Sequence, residues 1–206
     1  HIAKKGRPMI VSTGMADLGE VESAVRTIRD CGNQSYVLLH CVSNYPSKAE
    51  DTNLRAMGTL STAFGAPVGY SDHTMGAEVA IASIALGACI IEKHLTMDRT
   101  LPGPDHTASL EPGDFAGMVR GIRSVETALG HGRKEPAESE SSTAQVARKS
   151  LVAAVDIRAG QPLTPESVTV KRPGTGLPPA MLSHILGRQA RESIPAGSLI
   201  ALEMLS

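Results

Sequence analysis

The segment Tyr70-Ser71-Asp72-His73-Thr74 sets a hydroxyl, a carboxylate and an imidazole side by side, and Glu92-Lys93-His94 repeats the carboxylate and imidazole further along. Each closes a short apolar run, "PVGY" in the first case and "CII" in the second. Imidazoles at the ends of two successive strands would project into one mouth. Two such ligands with open positions beside them suit a divalent transition ion acting as a Lewis acid. Either histidine alone would more simply cap its strand by a backbone hydrogen bond. The equivalent placement of His73 and His94, flanked by Asp72 and Glu92, favours ligation. His40 closes a third run, "YVLLHC", and is either a further ligand candidate or a packed, hydrogen-bonded ring. Side chains alternate along a strand. That turns Lys93 away from His94 and leaves Asp72 between a role in the mouth and a structural hydrogen bond.

Anion binding is a second theme. Ser12-Thr13-Gly14 and Ser71 offer hydroxyls and backbone N–H groups near helix starts, a setting for phosphate or carboxylate, although Ser-Thr-Gly by itself is more often a helix N-cap. The loop 96–112, "TMDRTLPGPDHTASLEP", is polar and stiffened by prolines on both sides of Gly103. Loops of this length at a strand's C-terminal end commonly carry function. Asp105 within it could act as general acid or base, or hold substrate hydroxyls; its plain alternative is to initiate a turn. Arg172, before a Pro-Gly turn, sits on a stiff exposed loop from which a guanidinium can reach an oxygen-rich ligand, or simply be solvated.

These residues need elements to hold them. Residues 8–13, 36–41, 67–71 and 89–94 read as strands, each a continuous apolar run expected of a sheet buried on both faces. Helical spacing follows each one. Val21, Val25 and Ile28 share one face, with Gly32 as a stop; further helices are expected over 53–64, in "AEVAIASIALG", and over 112–129. Four strand–helix units in a row predict a parallel α/β sheet. Polar residues close every strand at its C-terminal end, where parallel barrels and open sheets both collect their chemistry. No GxGxxG fingerprint is present, which favours the barrel. An eight-unit barrel typically takes ~250 residues, so four units make half of one, and the favoured expectation is that the N-terminal half lies outside these 206 residues. The barrel portion is assigned to 1–130. Residues 131–146, rich in Ser, Glu and Pro, read as a linker, and 147–206 as a small mostly-β domain. In that domain "IRAGQPL" and "IPAGSLI" share Ile-x-Ala-Gly, short strands are expected in "KSLVAAVDI", "SVTVKRPG" and "ARESIPAGSLI", and one helical turn near "PPAMLSHIL".

Composition excludes several classes. A net charge of -1 argues against nucleic acid or an anionic membrane surface as partner. No apolar run reaches membrane-spanning length. Three cysteines without CxxC spacing fit a reducing cytoplasm better than a disulfide framework.

Taken in order, "LLHCVSNYP", "EDTNLRAM", "PVGYSDHT", "ALGACIIEKHLTMDR", "PGPDHTASLEP" and "VKRPGTG" resemble the sialic acid synthases, the N-acetylneuraminate synthases with their legionaminate and pseudaminate relatives. The C-terminal segment resembles their antifreeze-like SAF domain. The resemblance spans essentially the whole chain. It implies the C-terminal half of a TIM (β/α)8 barrel followed by a β-clip SAF domain. It also implies condensation of phosphoenolpyruvate with an open-chain N-acetylated amino sugar to a nine-carbon keto acid, a divalent Mn2+ or Mg2+, and a domain-swapped homodimer. Carried over by motif, His73 and His94 are the metal ligands, Ser12 and Ser71 phosphate contacts, and Ser43 and Tyr45 ligand contacts, with Asn44 as the alternative to Ser43. Asp105 becomes a substrate-binding and catalytic aspartate, and Arg172 the arginine that reaches the sugar's N-acyl group from the partner subunit. The family's phosphoenolpyruvate-binding lysines and further acidic residues belong to the other barrel half, so this chain alone is expected to be weakly active or inactive. Two rival readings use the same residues differently: another metal-dependent barrel lyase or aldolase, or a carbohydrate-binding C-terminal module on an inactive scaffold.

Overall fold

A computed structural model describes all 206 residues, which form two compact units, His1–Gly132 and Arg133–Ser206. In the first, β1 (Met9–Ser12), β2 (Tyr36–Cys41), β3 (Val68–Asp72) and β4 (Ile91–Lys93) form one parallel sheet in chain order. The helices α1 (Leu18–Asp30), α2 (Ala56–Phe64), α3 (Glu78–Ala85) and α4 (Pro112–Leu129) follow the strands one for one. This is the expected half-barrel of four βα units.

Local chemistry places the helix ends. Asp17 and Glu20 make a reciprocal capping box, each carboxylate accepting the other's backbone N–H at 2.9 Å. Gly32 takes the left-handed conformation (φ 80°) just beyond α1, as a helix stop requires. Pro112 opens α4, where its missing N–H is no loss. The second helix differs from expectation. It begins at Ala56 rather than near residue 53, because a short 3-10 turn over Ala49–Asp51, capped by Thr52, comes first and Asn53 itself lies in the left-handed region (φ 40°).

The sheet's two faces are chemically different. Tyr36, Leu38, Val68 and Tyr70 pack with Val21, Val25, Ile28, Met57, Leu60, Ile84, Met118 and Ile122 into the core between strands and helices. The other face carries Ile10 and Ser12, Leu39 and Cys41, Gly69 and Ser71, and Glu92, in rows set by the pairings Ser12↔Leu39, Leu39↔Gly69 and Ser71↔Glu92. Ile10 on this concave side is 60% exposed. Gly69 has no room for a side chain: an added Cβ would lie 2.5 Å from the Ile90 carbonyl and 2.6 Å from Leu39 Cδ2.

The second unit begins within the stretch expected as a linker, where a 3-10 turn leads into α5 (Ser141–Ala147). β5 (Ser150–Ala153) and β6 (Val168–Lys171) then form an antiparallel pair, and α6 (Leu182–Ile185) supplies the expected helical turn. No strand forms in 190–200; that expectation is corrected to single bridges, Ile157↔Ile194 and Val152↔Leu199. Pro195 cannot donate to a ladder, and Gly197 at φ 86° turns the chain. The repeated Ile-x-Ala-Gly is explained by this packing. Ile157 and Ile194 exchange both backbone hydrogen bonds, at 2.9 and 2.8 Å, and both side chains are buried in one core with Leu151, Leu163, Ile185, Ile200 and Leu205. Each motif then turns on a left-handed glycine, Gly160 or Gly197.

Gly69→Ala should cost about 1–3 kcal/mol by overpacking the β3–β4 junction, read as a lower urea midpoint with an unchanged slope.

Candidate functional site

The β3–β4 register builds the site. Ser71 pairs with Glu92 and Asp72 with Lys93. Strand alternation therefore sends Ser71, His73, Glu92 and His94 to the concave side and Asp72 with Lys93 to the helix side. In the sequence Glu92 is only a near neighbour of His94. The register makes it a member of the site, and its period of two with His94 is the signal that could have found it.

Hydrogen-bond geometry then sets the tautomer of a neutral His73. Its Nδ1 lies 2.7 Å from the Val42 carbonyl, which can only accept, so Nδ1 carries the proton. Ser71 Oγ donates to Glu92 Oε1 at 2.6 Å and lies 3.4 Å from His73 Nε2. A serine has one proton, and the carboxylate takes it. In the neutral ring Nε2 is left with its lone pair unused, and a backbone carbonyl fixing the opposite nitrogen is the usual orienting device for a metal-binding histidine. The His94 ring stands edge-on to His73, with centroids 5.4 Å apart and planes at 90°.

Tyr45 covers the pair. Its ring centroid is 4.2 Å from that of His73 and 5.6 Å from that of His94, while half of the residue remains exposed. The segment carrying it is held by Ser47 N–H donating to the His73 carbonyl at 2.8 Å. Asp105 approaches His94, Oδ2 lying 3.9 Å from Nδ1. Its loop is closed by Leu110 N–H on the His94 carbonyl and Thr96 N–H on the Leu110 carbonyl, both at 2.9 Å. Inside the loop the Thr96 hydroxyl donates to the Asp98 carbonyl at 3.0 Å and meets His106 Nδ1 at 2.7 Å.

The structure thus gathers Ser71, His73, His94, Tyr45 and Asp105. Ser12 lies exposed on the same face of the sheet, one pleat below Ser71 by register. Ser43 packs against Gly14, where an added Cβ would come within 2.2 Å of its Oγ; Asn44 is exposed. Arg172 belongs to the second unit, exposed, with its Nε donating to the Ala147 carbonyl at 3.1 Å. His40 is not in the mouth. Its Nε2 meets the Thr52 carbonyl at 2.7 Å and its ring lies near Tyr70 on the helix side, so the packed-imidazole alternative holds.

Two further groups are tuned by burial. Cys41, buried on the concave face, has its thiol pushed up by desolvation and by the Glu92 charge, against the opposing pull of the Thr13 and Gly14 N–H groups. It stays a thiol at neutral pH and is a poor nucleophile. Tyr70 is held well above the usual phenol range, first by burial and then by the charge of Asp72. No three or more His, Cys, Asp or Glu side chains are grouped to hold a metal ion. The donor set this chain itself offers an ion is two neighbouring imidazoles, with the His73 Nδ1 tied to a backbone carbonyl.

The NeuB family model matches residues 1–134 and the SAF domain model residues 148–206. A half-barrel followed by a SAF unit is a NeuB-type architecture, and the chain belongs to the NeuB family. It is 44% identical to the N,N'-diacetyllegionaminic acid synthase of Legionella pneumophila, over 98% of this chain and 58% of that protein. It is 39% identical to the N-acetylneuraminate-9-phosphate synthase of Mus musculus, over 93% of this chain and 54% of that protein. The crystal structure of a spore coat polysaccharide biosynthesis protein from Bacillus subtilis superposes with a TM-score of 0.62 at 34% identity, covering 100% of this chain and 63% of that one. The chain thus spans 54–58% of the length of these two curated relatives. No helix is long and apolar enough to cross a membrane.

The imidazole 15N spectrum should show neutral His73 protonated at Nδ1 with Nε2 bare; a ring protonated at Nε2 alone would contradict the proton count. Thiol labelling at pH 7 should modify the exposed Cys89 readily and leave Cys41 untouched in the folded protein.

Proposed function

We propose that this chain provides the C-terminal half-barrel and SAF domain of a synthase that condenses phosphoenolpyruvate with an N-acetylated amino sugar to a nine-carbon, sialic-type keto acid, working in the cytoplasm. Family membership supports the reaction class. The observation that carries the reading is the pair His73 and His94, on adjacent strand ends, with the His73 Nε2 lone pair free. A divalent ion such as Mn2+ bound there would supply Lewis acidity toward the sugar's aldehyde.

The chain's own residues have separate tasks. In the reaction a carbon–carbon bond forms between the phosphoenolpyruvate methylene and the aldehyde carbon, the aldehyde oxygen takes a proton, water adds at the former enol carbon, and phosphate leaves. Asp105, half-exposed beside His94, would hold a sugar hydroxyl and exchange the proton at the aldehyde oxygen. Ser12 and Ser71 face the side where the phosphate would lie. Ser71 would give up its Glu92 bond to donate to a phosphate oxygen. Tyr45 covers the imidazoles and would limit water around them, and Ser43, two residues before it, would be a further ligand contact. Arg172 would bind the N-acyl oxygen of sugar held by the partner subunit of a homodimer. Groups that neutralise the carboxylate and phosphate of phosphoenolpyruvate belong to the other four βα units, so turnover requires them.

Mn2+ titration followed by electron paramagnetic resonance tests the metal claim: His73→Ala and His94→Ala should each abolish tight binding, and unchanged binding in both variants would exclude these ligands. Fused in frame behind the N-terminal half of a family member, the chain should gain phosphoenolpyruvate-dependent keto-acid formation that the 206-residue chain lacks, and a soluble, folded fusion without turnover would count against the proposed reaction.

A further inference from the structure

We infer that Asp72 and Lys93 are positioning residues, a buried ion pair on the helix side of the sheet that sets the separation and orientation of His73 and His94 on the concave side. The inference rests on the proposed two-imidazole site. Each member of the pair directly precedes one of the two histidines, so any shift of the pair moves both rings.

The pair is fully enclosed, the Asp72 and Lys93 side chains being 0% and 1% exposed. Lys93 Nζ donates to Asp72 Oδ2 at 2.9 Å and also to the Thr74 carbonyl. Asp72 Oδ1 accepts the Thr74 N–H at 2.9 Å and the Thr74 hydroxyl at 2.8 Å. The network therefore brackets His73 on both sides, through Asp72 before it and Thr74 after it, and ties that bracket to the residue before His94. Directional hydrogen bonds of this kind define a geometry in a way that apolar contact does not.

The backbone offers no substitute. The β3–β4 ladder ends at Asp72↔Lys93, one residue short of the histidines. Beyond that point the two strands part. The His73 carbonyl accepts Ser47 N–H, toward the β2 side, while the His94 carbonyl accepts Leu110 N–H from the long loop. The ion pair is thus the last tie across β3 and β4 before two rings whose centroids are 5.4 Å apart. Nor is stability a sufficient reason for it, since buried ion pairs replaced by apolar residues of similar volume often leave stability unchanged or raised.

That distinction supplies the test, made on the 206-residue chain. Asp72→Leu combined with Lys93→Met removes both charges together and should keep the fold, seen as a parental circular dichroism spectrum and cooperative melting. Its Mn2+ affinity, read by electron paramagnetic resonance, should fall about 10- to 100-fold, the range typical for loss of groups that orient metal ligands. The nuclear Overhauser contact between the His73 and His94 rings should weaken with it. A folded double variant that keeps both the parental affinity and the ring contact overturns the inference. Should the double variant not fold, Thr74→Val decides: it strips one hydrogen bond from Asp72 and should weaken Mn2+ binding roughly threefold, whereas parental affinity and an unchanged ring contact would refute the positioning role. If the unaltered chain binds no Mn2+, it is the metal reading that fails, and the ring contact in the variants, which needs no metal, still decides whether the pair positions the histidines.

Discussion

The parallel pairing of β3 with β4 is the constraint on which the candidate site depends. Neither strand is long, and β4 has only three residues, yet the register between them sorts six polar side chains, three at each strand's end, into two sets. One set, Ser71, His73, Glu92 and His94, meets on the concave face. The other, Asp72 and Lys93, is buried among the helices. A slip of one residue would exchange the sets, putting the ion pair in the mouth and the imidazoles in the core. Gly69 guards this register from below, since the close approach of the Ile90 carbonyl leaves no space for a Cβ.

The half-barrel geometry explains why one face of the sheet is packed under helices while the other gathers polar strand ends without a helical cover. Helices cover the first, and their apolar residues fill the gaps between Tyr36, Leu38, Val68 and Tyr70. The second is the interior of a barrel represented here by four strands. Exposed Ile10 on that side belongs to a surface that a complete barrel would enclose. Reactive groups are kept quiet on both faces by the same physics. Burial and the Glu92 charge keep Cys41 protonated, burial and the Asp72 charge keep Tyr70 protonated, and the Ser71 proton is committed to Glu92. What stays chemically available in the mouth is the imidazole pair and the half-exposed carboxylate of Asp105.

The second unit shows the same dependence of meaning on packing. Read along the chain, the Ile-x-Ala-Gly echo looks like a repeated turn, and the run before residue 200 looks like a strand. In the fold the two isoleucines face each other across a single bridge and share one core, and the apparent strand is broken by Pro195 and Gly197. The repeat is a pairing device.

Much of this protein was legible in its residues because strands, caps and turns are governed by near neighbours. β2 and α4 fall on the expected residues, the half-barrel followed from four alternating units, and the two histidines were readable from their equivalent places at strand ends. The start of α2 was misjudged because the left-handed turn at Asn53 carries no sequence mark stronger than the residue itself. The sequence leaves His40 open between mouth and core, and Glu92 without a role, for one reason: in a polar cluster at a strand end, the face a side chain takes depends on which residue it pairs with across the sheet. Sequence determined which groups were available and roughly at what height along the strands they would lie. Only tertiary structure decided which of them share a face, which proton sits on which nitrogen, and that Asp72 answers Lys93 behind the sheet. Those outcomes rest on hydrogen bonds and burial between residues far apart in the chain, and the register of the ladder is what brings them within reach.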